Sequence, residues 1–425
     1  MRCSRPSDIQ AMAIIKAFKG LRPEDDIADK VASRPYDTMN TAEARAEAEG
    51  NPMSFLRVIK PEIDLPEGTD PYADAVYKMG AANLQEFIQN GWLKPDATDC
   101  LYVYRQIMGV HAQVGLVACS SIHDYFNDVI KKHEYTRPVK EQDRIKHMRT
   151  LRAHQGPVFL TYPDVFDIDE VINGVIASDD PEIDFAAEDN VRHTIWVIND
   201  RTIIRELERL FRTKVPATYI ADGHHRAASS AKVGQALMEE NPNHTGEEEY
   251  NFFLSVLFPA DQLSIIDYNR VVKDLNGLTP EEFLAAVSEK FNIRPCEEAA
   301  KPEFNGEFGL YMDGIWYMLE APEEMLDEPD PVESLDISIL SNHIIDPILG
   351  IKDQRTDDRI DFVGGIRGLE ELERRVDSGE MACAFSIFPV SIHQLIAVSE
   401  SGRVMPPKTT WFEPKLRSGL VVHKF

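Results

Sequence analysis

Residues 217–231 read ATYIADGHHRAASSA, and this stretch decides how the chain is understood. A short apolar run stops at Asp222-Gly223. His224, His225 and Arg226 follow, then small residues that a helix tolerates. The pattern predicts a buried strand turning directly into a helix. A helix N-terminus exposes unpaired N–H groups and about half a positive charge, so it attracts anions. Gly223 permits a positive φ or a close ligand approach. Arg226 adds a planar fork of donors and is expected to face a ligand rather than serve the core. The two histidines add further donors. Asp222, at the strand end, could cap the helix or hold a divalent cation. A triphosphate with its Mg²⁺ would use every one of these groups. The plainer alternative makes Asp222 an N-cap and the histidines solvated surface. Two histidines and an arginine in one turn favour the functional reading. A zinc site is disfavoured, because adjacent helical residues diverge by about 100° around the axis.

Outward from the corner, the patterns alternate between helix and strand. DRTIIRELERLF, before the corner, reads as a helix capped by Asp200, with Ile203, Ile204, Leu207, Leu210 and Phe211 on one face. RHTIWVIND and GPVFLTYPD read as strands. CLYVYRQIMG and AQVGLVACS read as a strand pair around a glycine turn. A helix is expected over residues 72–90, and residues 120–155 are charged and largely helical. Residues 12–65 look like short strands and turns, in AIIKAF, RPYDTMN and MSFLRVIKP. Residues 165–190 are acidic and poorly periodic, the mark of a surface insertion. After the corner, FFLSVLFP, a helix at 280–291, the strands of FGLYMDGIWYMLE and a helix at 335–349 suggest a second α+β unit.

The chain has 425 residues, too many for one ordinary core, and 43% are apolar. Its formal net charge is −27. Such a chain repels nucleic acid and anionic membranes unless a local basic patch overrides the field. Any phosphate-bearing ligand needs a cationic pocket. The five cysteines, Cys3, Cys100, Cys119, Cys296 and Cys383, are scattered and odd in number. They indicate a reducing, cytoplasmic setting with inert thiols. No apolar run is long enough to span a bilayer. Residues 1–11 look unlike the rest of the chain, and Met12 reads as a plausible natural start.

Two further segments carry candidate chemistry. KKHEYTRPVKEQDRIKH, residues 131–147, holds His133, Glu134 and Arg144. Alone it reads as a solvated charged face, yet Glu134 beside His133 could act as a general base and Arg144 could touch phosphate. PPKTTWFEPK lies in a tail that is basic within an acidic chain. There Lys408 offers a point charge, and Thr409 and Thr410 offer hydroxyls and N–H donors. These three residues are expected beside Asp222 despite their distance in sequence.

With FKGLRP, RPYD, KKHEYTRPVKEQDR, YIADGHHR, YNRVVKDL and MPPKTTWFEPKLRSGL together, the chain resembles, over nearly its whole length, the bacterial and archaeal domain-of-unknown-function family numbered one thousand and fifteen. That family's motif in turn resembles the ParB/sulfiredoxin-like fold and, within it, the free serine kinases. Those kinases phosphorylate the hydroxyl of free L-serine using ADP or ATP. They carry a His-Glu pair, then Asp-Gly-His-His-Arg, then Pro-Lys-Thr-Thr, the order seen here. The resemblance implies Glu134 as base, Asp222 as its assistant or a Mg²⁺ ligand, and His224, His225 and Arg226 as phosphate contacts. Two departures stand out. Glu134 and Asp222 lie 88 positions apart, which implies an insertion, placed at 165–190. Trp411 and Phe412 occupy the place of a basic pair. Sulfiredoxin chemistry is disfavoured, since DGHHR has no reactive cysteine.

The expected architecture is α+β: an N-terminal α/β segment at 12–99, a ParB/sulfiredoxin-like core at 100–245, a C-terminal α+β domain at 246–398, and a basic tail at 399–425 returning to the site. The expected function is phosphoryl transfer from ATP or ADP, with Mg²⁺, to a small hydroxyl compound, foremost free serine. Glu134 and Asp222 are the catalytic pair. Gly223 to Arg226 with Lys408, Thr409 and Thr410 bind phosphate, and His133 and Arg144 support them. The alternatives are a nucleotide- or phosphate-binding regulator without turnover, and a ParB-like nucleic-acid enzyme, which the charge disfavours.

Overall fold

A computed structural model describes residues 12–425; residues 1–11, including Cys3, lie outside the described residues. The chain divides into two compact units. The first runs to Leu263 and is completed by Pro414–Phe425, and the second is Ser264–Glu413. The expected boundaries fell at 99/100, 245/246 and 398/399, so residues 12–245 share one unit here.

The first unit is built on nine strands: β1 (Ile15–Lys16), β2 (Leu101–Met108), β3 (His111–Ser121), β4 (Ile130–Lys131), β5 (Val158–Tyr162), β6 (Ile183–Ala186), β7 (Arg192–Ile198), β8 (Thr218–Asp222) and β9 (Phe252–Pro259). Their order is β4-β8-β5-β9-β3-β2-β7-β6, with β1 also paired to β3. Pairing is antiparallel except for β4 with β8 and β5 with β9. β9 is FFLSVLFP, assigned by sequence to the second domain. It lies between β3 and β5, with Leu254 opposite Cys119 and Leu257 opposite Leu160. An apolar run announces a buried strand but not which sheet buries it.

The long helices of this unit are α1 (Asp74–Gln89), α2 (Pro138–Leu151), α3 (Phe166–Ser178), α4 (Arg201–Lys214) and α5 (His224–Glu240). α4 starts as expected, with Asp200 accepting from Thr202 N at 2.6 Å. Its Ile204, Leu207, Leu210 and Phe211 are buried, with Ile203 packed partly against them. Each buried aliphatic side chain of this kind contributes about 1.5–3 kcal/mol by leaving water. α5 packs tightly at Gly234, where a Cβ would meet the Tyr250 carbonyl oxygen at 2.2 Å.

One expectation fails and another holds only in part. Residues 165–190 are not a surface insertion: α3 buries Ile168, Ile172 and Val175 in the main core, and β6 pairs with β7. The i, i+4, i+7 apolar stripe was present, but the acidic residues between its members hid it. Residues 12–65 hold the expected short strands, β1 in AIIKAF and Leu21–Arg22, but also helices at Asp25–Val31, Thr41–Glu47 and Leu56–Ile59 that were not expected. Asn40 and Glu43 form a capping box, a readable start signal within a segment that otherwise looked like turns. MSFLRVIKP forms one helical turn with Leu56, Val58 and Ile59 all buried. Tertiary burial overrides its β-branched character.

The second unit carries six antiparallel strands: β10 (Tyr268–Val272), β11 (Asn292–Cys296), β12 (Glu307–Met312), β13 (Ile315–Glu320), β14 (Ile360–Gly364) and β15 (Cys383–Ile387), in the order β11-β13-β12-β15-β10-β14. α6 (Pro280–Ser288) and α7 (Ile392–Glu400) accompany them, each opened by a capping box. The helix expected at 335–349 is shorter, an α turn at Asp336–Leu340 continuing into a π turn at Ser341–Ile345. The fold is α+β. Among the described residues no helix is long and apolar enough to cross a membrane.

Candidate functional site

The strand-to-helix corner forms where the sequence reading put it. β8 shifts register between Ile220 and Asp222, an irregularity that re-aims Asp222 at the strand end. Gly223 comes next with φ 96° and ψ 34°, the left-handed region. A Cβ at Gly223 would also lie 3.0 Å from Arg226 Nε. Gly223→Ala is therefore expected to cost about 1–2 kcal/mol from backbone strain alone, read as a lower urea midpoint.

Asp222 Oδ2 accepts from Lys415 Nζ at 3.3 Å and lies 3.8 Å from Arg226 Nη2. Burial alone would raise the carboxyl. Lys415 and Arg226 outweigh it, and Asp222 is held well below the usual carboxylate range. Lys415 is positioned by its carbonyl, which accepts from Gln106 Nε2 at 3.0 Å. The sequence reading passed over Lys415. The only signal was its place in EPKLRSGL, seven residues past the lysine that was chosen.

Arg226 differs from expectation. It is 6% exposed and donates from Nη1 to the Pro157 carbonyl. Among the described residues its Nε, which is buried, has no hydrogen-bond partner. Asp37 and Tyr36, from RPYD, both act on its charge, and Arg144 lies 4.2 Å from the Tyr36 ring. Arg144 is fixed by a two-pronged bond to Asp143, which also accepts from the Tyr77 hydroxyl. RPYD was recognised as a motif but given no role. Here it supplies the carboxylate and the ring that face two buried guanidinium groups.

The histidines mainly hold the 133–137 segment. His224 Nε2 accepts from His133 N–H at 3.4 Å, and His225 Nε2 accepts from Arg137 N–H at 2.9 Å. The His133 and His224 rings meet edge to face at 4.5 Å. Only Nδ1 of each remains to meet a ligand. His224 Nδ1 stands 3.8 Å from Glu134 Oε2, and the Glu134 side chain is 44% exposed. Glu134 is thus an accessible carboxylate at the edge of a cationic corner.

Several buried histidines of this unit are kept neutral. Burial pushes His133 down to about 4 and His193 to about 3, and also lowers His147, His154 and His224. The unfolded chain takes up their protons first, below about pH 6.5, so stability rises with pH across that window. Asp124, raised by burial to about 6, acts in the opposite direction, as do Asp169, Asp261 and Asp336, but these four carboxyls are outnumbered by the lowered histidines, His225 and His423 included. The melting temperature is expected to fall steadily from pH 7 to pH 5. A flat profile in scanning calorimetry would contradict neutral burial of these rings.

Lys408, Thr409 and Thr410 belong to the second unit. There the Lys408 carbonyl accepts from Arg270, Lys408 Nζ lies 5.7 Å from the Tyr268 ring, and Thr409 Oγ1 donates to the Pro406 carbonyl. The structure thus brings Glu134, His133, Arg144 and Asp222 through Arg226 together in the first unit, with Lys415 as the lysine from the tail.

No curated protein matches the chain. Among solved structures it is similar to a free serine kinase in complex with AMP, at 14% identity over 67% of this chain and 84% of that chain, TM-score 0.32. It is similar to a conserved hypothetical protein from Pyrococcus furiosus, at 14% identity over 73% and 95%, TM-score 0.34. SbnI with C-terminal truncation from Staphylococcus aureus aligns at 10% identity over 71% and 85%, TM-score 0.36. The family described as "Protein of unknown function (DUF1015)" matches residues 15–338, well over half of the chain, and the chain belongs to that family.

Proposed function

We propose that the first unit is a phosphotransferase, on a ParB/sulfiredoxin-like core, that moves a phosphoryl group from ATP or ADP to a small hydroxyl compound, foremost free L-serine. One observation carries the reading: an accessible carboxylate, Glu134, lies within 4 Å of a histidine on a helix start that also gathers Arg226, Lys415 and Asp222. Phosphoryl transfer needs little covalent help from a protein. It needs positioning and fixed positive charge where the phosphoryl oxygens gather charge.

In the proposed step the acceptor oxygen attacks the terminal phosphorus. The bond from phosphorus to the bridging oxygen breaks, and the shorter nucleotide leaves with the electron pair. The hydroxyl proton passes to Glu134. The N–H groups opening α5 face the phosphates, the buried Arg226 lends its charge to the corner, and Lys415 balances Asp222. His224 Nδ1 orients Glu134. Among the described residues no three His, Cys, Asp or Glu side chains are grouped to hold a metal. The donor set fits Mg²⁺ that arrives on the nucleotide's phosphates, with Asp222 as the protein ligand, and its charge would lower the cost of gathering phosphates.

The test is incubation with ATP, ADP or pyrophosphate and a panel of free hydroxy-amino acids and sugars, followed by mass spectrometry. O-Phosphoserine is the expected product. Nucleotide binding without any phosphorylated product would replace the kinase reading with that of a regulator. Retention on DNA at physiological salt would revive the nucleic-acid reading.

A further inference from the structure

Gln106, Gln113 and His193 are fully buried polar side chains that the phosphotransfer reading does not use. They form one row across three strands: Gln113 on β3 is registered opposite Gln106 on β2, and Gln106 opposite His193 on β7. Registered partners share a face of the sheet, so all three point the same way. The other face carries an apolar row, with Val103 opposite both Leu116 and Trp196 in the main core. An apolar row would fill the polar position at lower cost, because a buried polar group must keep its hydrogen bonds.

The bonds of this row end on the C-terminal segment. Gln113 Nε2 donates to Gln106 Oε1 at 3.0 Å, and Gln106 Nε2 donates to the Lys415 carbonyl at 3.0 Å. His193 Nε2 accepts from Arg417 Nε at 3.3 Å, which leaves Nδ1–H to donate to the Tyr104 hydroxyl at 2.7 Å. That tautomer is neutral, as burial of His193 requires. Arg417 is also paired with Asp189. One residue on, Ser418 exchanges both backbone hydrogen bonds with Ser33, at 3.0 and 2.8 Å. Lys415 is therefore mounted through its own carbonyl and through Arg417 and Ser418, and its Nζ is delivered to Asp222 Oδ2 at 3.3 Å. Its charge matters there. Arg226 by itself would only cancel Asp222, whereas the trio with Lys415 is net positive.

We propose that Gln106 is a positioning residue, the central member of a buried polar row that docks the C-terminal segment, holds Lys415 on Asp222 and so keeps the strand-to-helix corner cationic for phosphate. The benefit to phosphate rests on the phosphotransfer reading; the positioning of Lys415 does not.

The experiment uses the full chain and has two arms. In the first, lysines are labelled with acetic anhydride and followed by mass spectrometry. Lys16 is the internal reference, because it is also a partly buried lysine of the first unit paired with a carboxylate. Gln106→Leu keeps the approximate shape and removes the donor to Lys415. Labelling of Lys415 relative to Lys16 is expected to rise about threefold, the scale of a partly exposed ion pair. In the second arm, calorimetry measures binding of metal-free pyrophosphate. Affinity is expected to fall about tenfold in Gln106→Leu, the scale of one charge-assisted hydrogen bond. The double variant with Lys415→Met should bind no more weakly than Lys415→Met alone, since the glutamine acts through the lysine. If Gln106→Leu does not fold, Gln106→Asn, one methylene too short for the Lys415 carbonyl, decides both arms. An unmoved ratio of Lys415 to Lys16 labelling overturns the proposal, as do additive losses in the double variant. A raised ratio in a protein whose wild type binds no pyrophosphate upholds the positioning and removes the phosphate reading instead.

Discussion

Arg226→Ala is expected to lower the global stability of the protein as well as its affinity for nucleotide. The side chain is 6% exposed and bridges the Pro157 carbonyl to the Asp222 carboxylate, joining β8 to the segment before β5. Removing one partner of a buried charge pair costs about 3–5 kcal/mol. Asp222 keeps Lys415, and its side chain is 30% exposed, so solvent screens part of the loss. We expect about 3 kcal/mol, the low end of that range, as a drop in the urea midpoint. Nucleotide affinity should fall by a further 1.5–3 kcal/mol or so, the scale of a charge-assisted hydrogen bond. Arg226→Lys separates the two effects. A lysine keeps the charge but cannot serve Pro157, Asp222 and a phosphate together, so affinity should recover less than stability. An unchanged midpoint in Arg226→Ala would deny the arginine its structural role. Unchanged affinity for both ATP and ADP in calorimetry would deny it the phosphate.

The corner was legible because its signals are local. An apolar run, a glycine and a polar turn specify a strand, a left-handed residue and a helix start within seven residues. The cap at Asp200 was legible for the same reason. What the sequence concealed was nonlocal. Lys415 reaches Asp222 across 193 positions, and nothing in EPKLRSGL marks it above Lys408. Arg226 looked like a surface arginine because helix starts are usually exposed, and distant segments such as that of Gly156 and Pro157 close over it. Nothing local showed that β9 belongs to the first sheet, because pairing with β3 and β5 is a property of the whole unit. The histidines show the limit most clearly. Their residue type suggested phosphate donors, yet both spend Nε2 accepting backbone N–H groups from residues 133 and 137. That tie makes the order of the two motifs intelligible, since one now holds the other in place.

Glu134→Gln should leave nucleotide affinity intact while turnover falls by roughly 10²–10⁴-fold, the usual contribution of a positioned acid or base. The substitution preserves shape and removes only the charge. Two carboxylates compete for the role. Asp222 is bound to Lys415 and held far below the range in which it would accept a proton readily, so it is a poor base at neutral pH. Glu134 is 44% exposed, and the ring beside it is neutral, because burial keeps His224 from being protonated. A neutral His224 can steady Glu134 without discharging it. His224→Ala should therefore lower turnover less than Glu134→Gln does, and the double variant should be no slower than Glu134→Gln alone, since the histidine acts through the glutamate. Lost nucleotide binding in Glu134→Gln, with little further loss at saturation, would move Glu134 to the nucleotide or its metal and return Asp222 to consideration. Full turnover would make Glu134 a solvated side chain and leave the corner a binding site without a base.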